Sequence, residues 1–340
     1  KIKPVKNINA FRTEETVSAP GTEMDDMFLV EVNRGCARSC RFCAASFVYR
    51  PVRFRNSEEI IASIEQGLKR KHKIGLVGTA VSDHPDLAPI CEYVTTQGAQ
   101  AGVGSLRIDR IDEKIVDLIK AGGIETVALA PEAGSQRMRD ILRKDITKQN
   151  IMNAVETLAE KDVPNLRLYF MVGLPREEED DIDAIIELTR KIQHHVRSRF
   201  QGRKEFRRIT LSINQFIPKP ATPFQWCVLE DIDTASKKIR KIKNAFRRDR
   251  QIKVIHDVPK WNYIQALLSL GDRRVSEILL AVHRLEENWA RALKEVNINP
   301  DFYVYRQRPF DEFLPWDIVD LSISKKALIN EYLVALKENP

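Results

Sequence analysis

The chain has 340 residues, of which 43% are hydrophobic and 30% are charged. This length leaves room for about two domains, or for one large barrel with an appendage, and the composition excludes collagen-like, low-complexity and disordered proteins. The 55 Lys and Arg exceed the 48 Asp and Glu by a net charge of +7, which permits nucleic-acid binding without requiring it. No apolar run approaches the roughly 18 residues of a membrane helix, and no signal core follows the first charges, so we predict a cytoplasmic protein.

The first segment of the chain, residues 1–26, is polar and turn-rich, and we interpret it as a linker or N-terminal extension. From Met27 onward, short β-branched runs alternate with amphipathic stretches of helical period. The predicted strands are Phe28–Val32, Ile74–Gly78, Ala101–Ser105, Thr126–Ala130, Leu166–Val172 and Ile209–Phe216. The predicted helices between them are Ser57–Arg70, Leu87–Gln97, Asp112–Ala121, Ser135–Leu142, Lys148–Lys161 and Glu177–Arg199.

The rhythm changes after Trp226. The pattern there predicts a basic helix, a candidate strand and three further helices, which are Asp231–Arg250, Ile252–Ile255, Tyr263–Leu270, Ser276–Glu295 and Lys325–Lys337. We therefore expect a boundary near residue 228, with a core domain at residues 27–228 and a smaller, mainly helical domain at residues 229–340.

Strands that alternate with helices form right-handed parallel crossovers. The α/β class follows, as either a doubly wound sheet or a full or partial barrel, and the period of the pattern does not choose between them. Both architectures place their chemistry at the carboxyl ends of the strands, and we expect the functional motifs there.

The cysteines are unevenly spaced. Cys36, Cys40 and Cys43 lie within eight residues directly after the first strand, while Cys91 and Cys227 stand alone. This distribution is not a disulfide framework, and in a cytosolic chain it indicates metal binding or catalysis. A closed zinc site normally takes four protein ligands, whereas an iron-sulfur cluster held by three Cys leaves one iron open to a substrate or cofactor.

Two other interpretations of these cysteines remain open. Zinc could take a distant fourth ligand such as Cys91, Cys227 or one of the six His, or the three thiols could be inert. Arg34, Arg38 and Arg41 flank the thiols and would favour thiolates and offset an anionic cluster, or they are solvated loop charges.

The C-x-x-x-C-x-x-C loop, with Phe42 before its last Cys, resembles the signature of the radical S-adenosylmethionine (SAM) superfamily. Further segments are similar to the subgroup of this superfamily that is associated with cobalamin-binding domains, namely residues 75–85, 130–135, 169–175, 216–226, 271–274 and 314–317. Members of this type often carry a cobalamin domain before the barrel, and this chain opens in what looks like the linker that follows it. The resemblance is therefore to a radical SAM core without its cobalamin domain.

The resemblance implies a partial (β/α)6 barrel of the TIM-barrel type. It implies that Cys36, Cys40 and Cys43 hold a [4Fe-4S] cluster whose open iron binds the amino and carboxylate groups of SAM. An electron from a donor such as flavodoxin or ferredoxin then cleaves SAM to methionine and a 5'-deoxyadenosyl radical, which abstracts hydrogen from the substrate. Cobalamin is a further expected cofactor, and a small molecule, a protein or an RNA is a candidate substrate.

The expected SAM contacts follow the strands at the barrel mouth. They are Phe42, Gly78, Thr79, Ser82, Ser105, Arg107, Glu132, Ser135, Arg167, Met171, Gly173 and Leu174. Arg107 is a candidate bidentate partner of the methionyl carboxylate or one half of a solvated salt bridge. Ser135 is a candidate cofactor contact and also a candidate helix N-cap. Arg167 could reach the SAM carboxylate or point outward from a buried strand.

Cobalamin-dependent methyl transfer to an unactivated carbon is the reaction that the resemblance favours. The alternatives are a radical SAM enzyme without cobalamin, performing rearrangement, cyclisation or sulfur insertion, and a zinc-stabilised RNA-binding protein.

Two basic stretches, at residues 197–208 and 237–250, are either solvated faces or a docking surface for an acidic macromolecule. We interpret His194 and His195 as surface residues, and Asp83-His84 as a candidate site pair because it follows the second strand.

Overall fold

The fold alternates parallel strands with helices, in a computed structural model that describes residues 4–17, 20–22, 24–104 and 106–337. The strands are Met27–Arg34 (β1), Arg53–Phe54 (β2), Lys73–Gly78 (β3), Gln100–Val103 (β4), Thr126–Glu132 (β5), Asn165–Val172 (β6), Arg208–Gln215 (β7) and Ile252–His256 (β8). They form two sheets in the orders β2-β1-β3-β4 and β5-β6-β7-β8, and every neighbouring pair is parallel except β1 with β2. The sheets curl into a partial barrel, which confirms the predicted α/β fold class.

The helices connect these strands and continue beyond the last one. They are Ala45–Val48 (α1), Ser57–Leu68 (α2), Leu87–Thr96 (α3), Glu113–Ala121 (α4), Gln136–Ile141 (α5), Lys148–Glu160 (α6), Glu179–Arg199 (α7), Ile232–Ala245 (α8), Pro259–Leu270 (α9), Val275–Arg284 (α10), Trp289–Glu295 (α11), Asp301–Val304 (α12) and Lys325–Lys337 (α13). None of these described helices is long and apolar enough to cross a membrane.

Strand β6 shows how the barrel wall forms. Leu168 and Phe170 are fully buried in the apolar core that also contains residues of α6 and α7. The alternate residues Arg167, Tyr169 and Met171 are only half-buried. Because successive side chains of a strand point to opposite faces, these three face the interior of the barrel. The helices therefore cover the apolar outer face, and the polar face is left for a ligand.

The structure differs from the sequence prediction at several elements. β2 was not predicted, because two residues are too few to show a strand period. The third predicted strand ends at Val103, and Ser105 lies outside the described residues. The helix predicted at Ser276–Glu295 is divided into α10 and α11, since the Asn288 side chain accepts a hydrogen bond from Arg291 N and caps α11.

The candidate strand after residue 228 belongs to the barrel sheet. Ile252–His256 pairs in parallel with β7, so the sheet continues past the residue at which the sequence suggests a boundary. The last helix also returns to the barrel, where Tyr332 packs against Trp226 with ring centroids 5.9 Å apart. A division of the chain near residue 228 remains a prediction.

The N-terminal segment, to which the sequence assigns no fold, contacts the barrel in its described part. Glu14 forms an antiparallel bridge with Val30 of β1. The buried guanidinium of Arg55 donates hydrogen bonds to the carbonyl oxygens of Ile8 and Phe11, each at 2.7 Å. This segment has little period of its own because its order depends on an arginine more than forty residues away.

Candidate active site

The cysteine loop leaves β1 through a tight turn at Gly35. This residue has a φ of +84°, and a Cβ there would lie 2.3 Å from the carbonyl oxygen of Tyr49. Only glycine fits both constraints. The turn directs the loop over the carboxyl ends of the strands, where the sequence predicts the site.

The thiols of the loop meet in one place. Cys36, Cys40 and Cys43 line a single cavity of about 240 Å³, which we call the cysteine cavity. Its other walls come from segments that follow β3 and β4, from the end of β5 and from the turn before α6, and the residues used below are Phe42, Thr79, Arg107, Glu132 and Lys144. Segments from the carboxyl ends of four different strands thus surround the three thiols.

The three thiols differ in burial: Cys40 is buried, whereas Cys36 and Cys43 are half-buried. Burial raises the pKa of Cys40 to about 12, against the opposing effect of the nearby Lys144 ammonium, and burial also raises the pKa of Cys36. The backbone N–H of Arg38 donates to the Sγ of Cys36 at 3.4 Å. Metal coordination replaces thiol protons, so three sulfurs that line one cavity with a cation beside them suit an anionic thiolate-ligated cluster.

Lys144 is a residue of this cavity that sequence reasoning missed. Its Nζ lies 3.0 Å from Oε1 of Glu132, the last residue of β5. Glu132 has a φ of 67°, in the left-handed region where side chains other than glycine are uncommon. Such strain is typical of functional sites, and it turns the carboxylate toward the cavity. No motif in the sequence marks Lys144. It stands twelve residues after Glu132, and this separation alone does not indicate that the two side chains meet.

The distant zinc ligands considered from the sequence do not line the cavity in the described part of the chain. Each thiolate of a [4Fe-4S] cluster binds a different iron, so the thiols need only line a common space. The described lining contains no histidine, and Cys91 and Cys227, the other proposed zinc ligands, are buried in two other apolar clusters.

The arginines beside the thiols have other partners. Arg34 binds Glu31 through two hydrogen bonds, and Arg38 binds Asp109 at 2.8 Å. These carboxylates match the charges of Arg34 and Arg38. Arg38, Arg107 and Lys144 line the cavity, and each of the three is paired with a carboxylate.

Arg41 anchors the cysteine loop. Its guanidinium is buried and donates to the carbonyl oxygen of Ile141 at 2.8 Å, while its backbone N–H donates to that of Leu142 at 3.0 Å. Its Nε also lies 3.2 Å from Oε2 of Glu331 in α13. The loop is therefore fixed to the end of α5 and to the last helix at once.

The residues expected after β3 divide between the cavity and its support. Thr79 lines the cavity and donates its hydroxyl proton to the carbonyl oxygen of Gly35 at 2.6 Å. A Cβ at Gly78 would lie 1.9 Å from Oδ1 of Asn33, so this glycine permits close packing of β3 against β1. Ser82 accepts a hydrogen bond from the backbone N–H of Arg107 at 3.0 Å.

Arg107 lines the cavity, but its guanidinium is occupied. Its Nη1 donates to both carboxylate oxygens of Asp83, at 2.8 and 2.9 Å, and its Nε donates to Asp109 at 3.0 Å. The salt-bridge interpretation therefore describes this structure, with the difference that the pair is half-buried. His84, next to Asp83, is buried with its Nε2 2.8 Å from the carbonyl oxygen of Arg55, which is a structural contact.

The candidates after β5 and β6 lie outside the cysteine cavity. Ser135 caps α5 by accepting from Met138 N at 3.1 Å. Gly173 has a φ of +77° and donates its N–H to Glu177 at 2.8 Å. Met171 and Leu174 belong to the apolar cluster around Trp226. Phe42, between the second and third Cys, packs against that cluster and also lines the cavity.

Arg167 lies deeper in the barrel than the sequence suggests. Its register partner in β5 is Ala128, whereas Glu132 at the cavity pairs with Phe170. At roughly 3.3 Å per residue, four residues along β5 correspond to about 13 Å. The Nε of Arg167 is buried and has no hydrogen-bond partner among the described residues. It is a polar group of the barrel interior, and its assignment to the SAM carboxylate remains a prediction.

The two basic stretches meet at the opposite end of the barrel. Arg197 and Arg207 line one cavity there with Arg250 and His194, while His195 binds Glu156 at 2.9 Å. This end carries the amino termini of the strands, so neither histidine lies near the thiols. Both are at the surface side of α7, as predicted.

The sequence of this chain is similar to a family model and to several known proteins. Residues 30–189 match the model of the Radical SAM superfamily. "Uncharacterized protein MJ0966" of Methanocaldococcus jannaschii is 34% identical over 255 residues, covering 74% of this chain and 54% of the relative. A tRNA-2-methylthio-N(6)-dimethylallyladenosine synthase of Caldicellulosiruptor saccharolyticus is 29% identical over 48% of this chain and 38% of its own. "Uncharacterized methyltransferase PH0819" of Pyrococcus horikoshii is 26% identical over 48% and 37%.

The chain spans about half the length of the first of these relatives and less of the other two. The matched family segment contains the cysteine loop, Lys144 and strands β1 to β6 except for three residues at the start of β1. The thiols, their cavity and the partial barrel agree with that match: this chain belongs to the radical SAM superfamily.

Proposed function

We propose that this radical SAM enzyme is a C-methyltransferase that uses cobalamin. The observation that carries the radical part is the meeting of Cys36, Cys40 and Cys43 in one cavity at the carboxyl ends of the strands. The methyl-transfer part is supported by the named methyltransferase relative and by the motifs similar to the cobalamin-associated subgroup. The substrate would lie beside the cysteine cavity.

The cluster and SAM would be held by residues already described. Cys36, Cys40 and Cys43 are the proposed iron ligands, and when bound the cluster supplies the electron that cleaves SAM to methionine and a 5'-deoxyadenosyl radical. Cobalamin, when bound, supplies the methyl group for the substrate carbon. Glu132 and Thr79 present oxygens at the cavity wall for the polar groups of SAM.

The remaining residues of the cavity prepare the site. Phe42 covers one side of the thiols and excludes water from them. Lys144 places a positive charge near sulfurs that carry negative charge once a metal is bound, and its ion pair orients Glu132. Arg41 holds the loop so that the three sulfurs keep their spacing. These are positioning roles that the chain fulfils before any cofactor arrives.

Sulfur insertion is the less favoured reaction. Such chemistry usually goes with a second cluster, and the two remaining cysteines of the chain do not lie together. Cys91 belongs to the core around β1 and β3, and Cys227 belongs to the cluster around Trp226. The described residues therefore offer no second three-thiol site.

Anaerobic reconstitution tests the cluster and the radical. Because a [4Fe-4S] cluster contains four irons, we expect about four irons per chain. The electron paramagnetic resonance spectrum should change when SAM is added, and 5'-deoxyadenosine should form as product. Cys40→Ala should abolish 5'-deoxyadenosine while the circular dichroism spectrum is kept. Cys91→Ala is the matched control, because it removes a buried thiol far from the cavity. Undiminished 5'-deoxyadenosine in Cys40→Ala would refute the ligand assignment.

A separate experiment tests methyl transfer. The full-length protein is reconstituted, titrated with hydroxocobalamin and followed by absorption, and S-adenosylhomocysteine is measured after reduction in the presence of SAM. We expect a saturable spectral change and S-adenosylhomocysteine formation that requires cobalamin. A full-length protein that binds no cobalamin and still forms 5'-deoxyadenosine would exclude cobalamin-dependent methyl transfer and favour a rearrangement or a cyclisation.

A further inference from the structure

A second cavity adjoins the cysteine cavity and carries positive charge. It has a volume of about 560 Å³, and Arg34, Arg50 and Arg53 line it; we call it the arginine pocket. Thr79 lines both this pocket and the cysteine cavity, so the two cavities adjoin at this residue.

The carboxylate of the arginine pocket is already neutralised. Glu31 binds Arg34 at 2.8 Å and also binds the buried Arg55 at 3.0 Å. The single negative charge of Glu31 thus lies against two guanidinium groups. Arg50 and Arg53 add two further positive charges to the pocket. The pocket as a whole has an excess of positive charge.

Arg50 is held in place by neutral groups. Its Nε donates to the carbonyl oxygen of Ser46 at 2.5 Å, and its Nη2 donates to the hydroxyl of Ser39 at 2.6 Å. Its guanidinium also lies 5.1 Å from the ring centre of Phe47. Among the residues that the structure describes, no carboxylate pairs with it, so its position is fixed while its charge is uncompensated.

Arg53 repeats this arrangement. Its Nε, Nη1 and Nη2 donate to the backbone carbonyl oxygens of Pro51, Val5 and Tyr49, at 2.9, 2.9 and 3.0 Å. Three of its five N–H groups are used in this way, which leaves two for a ligand. No described acidic residue forms an ion pair with it. Burial and the charge of Arg34 lower the pKa of Arg53, against the opposing effect of the Glu31 carboxylate.

We propose that the arginine pocket binds a phosphate group of the substrate. Guanidinium forks match phosphate in both geometry and charge, and a dianion balances the two uncompensated arginines. Because Thr79 is shared, a phosphate at Arg50 and Arg53 places the carbon atoms attached to it at the entrance of the cysteine cavity. This inference rests on the proposed function, because that function makes the ligand of the pocket a substrate. The inference adds that this substrate carries a phosphate group.

Isothermal titration of the cluster-reconstituted protein with inorganic pyrophosphate tests this site, with acetate as a monoanionic probe. Arg50→Gln and Arg53→Gln should each raise the dissociation constant for pyrophosphate about tenfold or more, the usual effect of losing a charge-assisted hydrogen bond. Arg53→Lys keeps the charge without the fork and should show an intermediate loss. Arg203→Gln is the matched control, because this exposed arginine lies in the turn before β7, at the far end of the barrel.

Three results would overturn the proposal. They are the absence of pyrophosphate binding to the unaltered protein, equal affinity for acetate and pyrophosphate, and an equal loss of affinity in Arg203→Gln. If Arg53→Gln does not fold, Arg50→Gln alone decides, since Arg50 is exposed and its contacts are few. A protein that binds pyrophosphate through these arginines but transfers no methyl group would refute the proposed function and leave the phosphate site intact.

Discussion

Arg41 and Glu331, 290 residues apart in the chain, lie 3.2 Å from each other. The arginine stands between the second and third Cys of the loop, and the glutamate belongs to the last helix. Arg143, just after α5, binds the other oxygen of the same carboxylate at 2.8 Å. The C-terminal helix thus fixes the loop that the proposed cluster needs, although it lies outside the residues that match the family model.

Glu331→Gln should loosen this connection. The buried Arg41 keeps its bonds to carbonyl oxygens but loses the charge of this carboxylate, and we expect a loss of about 1–2 kcal/mol in the free energy of unfolding. Urea titration measures this loss, and iron retained after gel filtration measures the hold on the cluster. Glu295→Gln removes the partner of Arg284 in an exposed pair and should change stability by less than about 0.5 kcal/mol. Equal effects of the two variants would contradict the anchoring role.

Lys144→Met tests the cation of the cysteine cavity. Loss of a positive charge beside an anionic cluster stabilises its oxidised state, so we expect the reduction potential to fall by on the order of 60 mV, which corresponds to about 1.4 kcal/mol. Potentiometric titration followed by electron paramagnetic resonance provides the measurement. Lys144→Arg should restore most of the potential, and the exposed Lys148→Met should leave it unchanged. A potential that does not move in Lys144→Met would separate this residue from the cluster.

Gly78→Ala tests the close packing of β3 against β1. The new Cβ would meet Oδ1 of Asn33 at 1.9 Å, so one of the two strands must shift, at a cost of about 1–3 kcal/mol. Chemical denaturation measures this cost. Combining the substitution with Asn33→Ala removes the clash and should recover part of the stability. Gly102→Ala, whose nearest neighbour is the flexible Met27 sulfur at 3.1 Å, is the milder comparison. A Gly78→Ala protein as stable as the parent would show that the strands can separate freely.

Asp272 gives a pH dependence at the far end of the chain. Its hydrogen bond with Arg274 lowers its pKa to about 2 from the ordinary value of 3.8. A carboxylate with a depressed pKa in the folded state stabilises the protein above the unfolded pKa, and this contribution disappears as the pH falls toward 2. Between pH 5 and pH 2 the parent should therefore lose about 1–2 kcal/mol more than Asp272→Asn, after allowance for the partial exposure of the group. Parallel acid titrations of stability compare them, and identical curves would show that the ion pair is absent in solution.

Much of the fold was predictable because it is encoded locally. Asp112 and Ser135 stand at the N-caps where the sequence places them, and each accepts a backbone hydrogen bond three residues later. The alternation of buried and half-buried residues in β6 follows from a period of two in the sequence. The last helix, Lys325–Lys337, has the predicted bounds. Short-range periodicity and capping need no knowledge of distant residues, which is why they can be read from the chain.

The site was predictable only in part. The meeting of the three Cys in one cavity was predictable from their spacing, because one loop delivers all of them. The partners of Arg107 were not predictable, since Asp83 reaches it from 24 residues away through the packing of two βα loops. Arg167 illustrates the same limit: its depth in the barrel depends on the register of β6 with β5, which a strand pattern does not contain.

By itself, the sequence determined the proposed cysteine ligands, the alternation of strands and helices, and the end of the barrel at which the three thiols lie. The tertiary structure alone decided that Lys144 shares the cavity with the thiols, that Glu331 holds the loop, and that Arg50 and Arg53 retain free charge. The physical reason is that a side chain's charge balance and burial are set by whatever neighbours the closed barrel brings to it, and those neighbours come from separate parts of the chain.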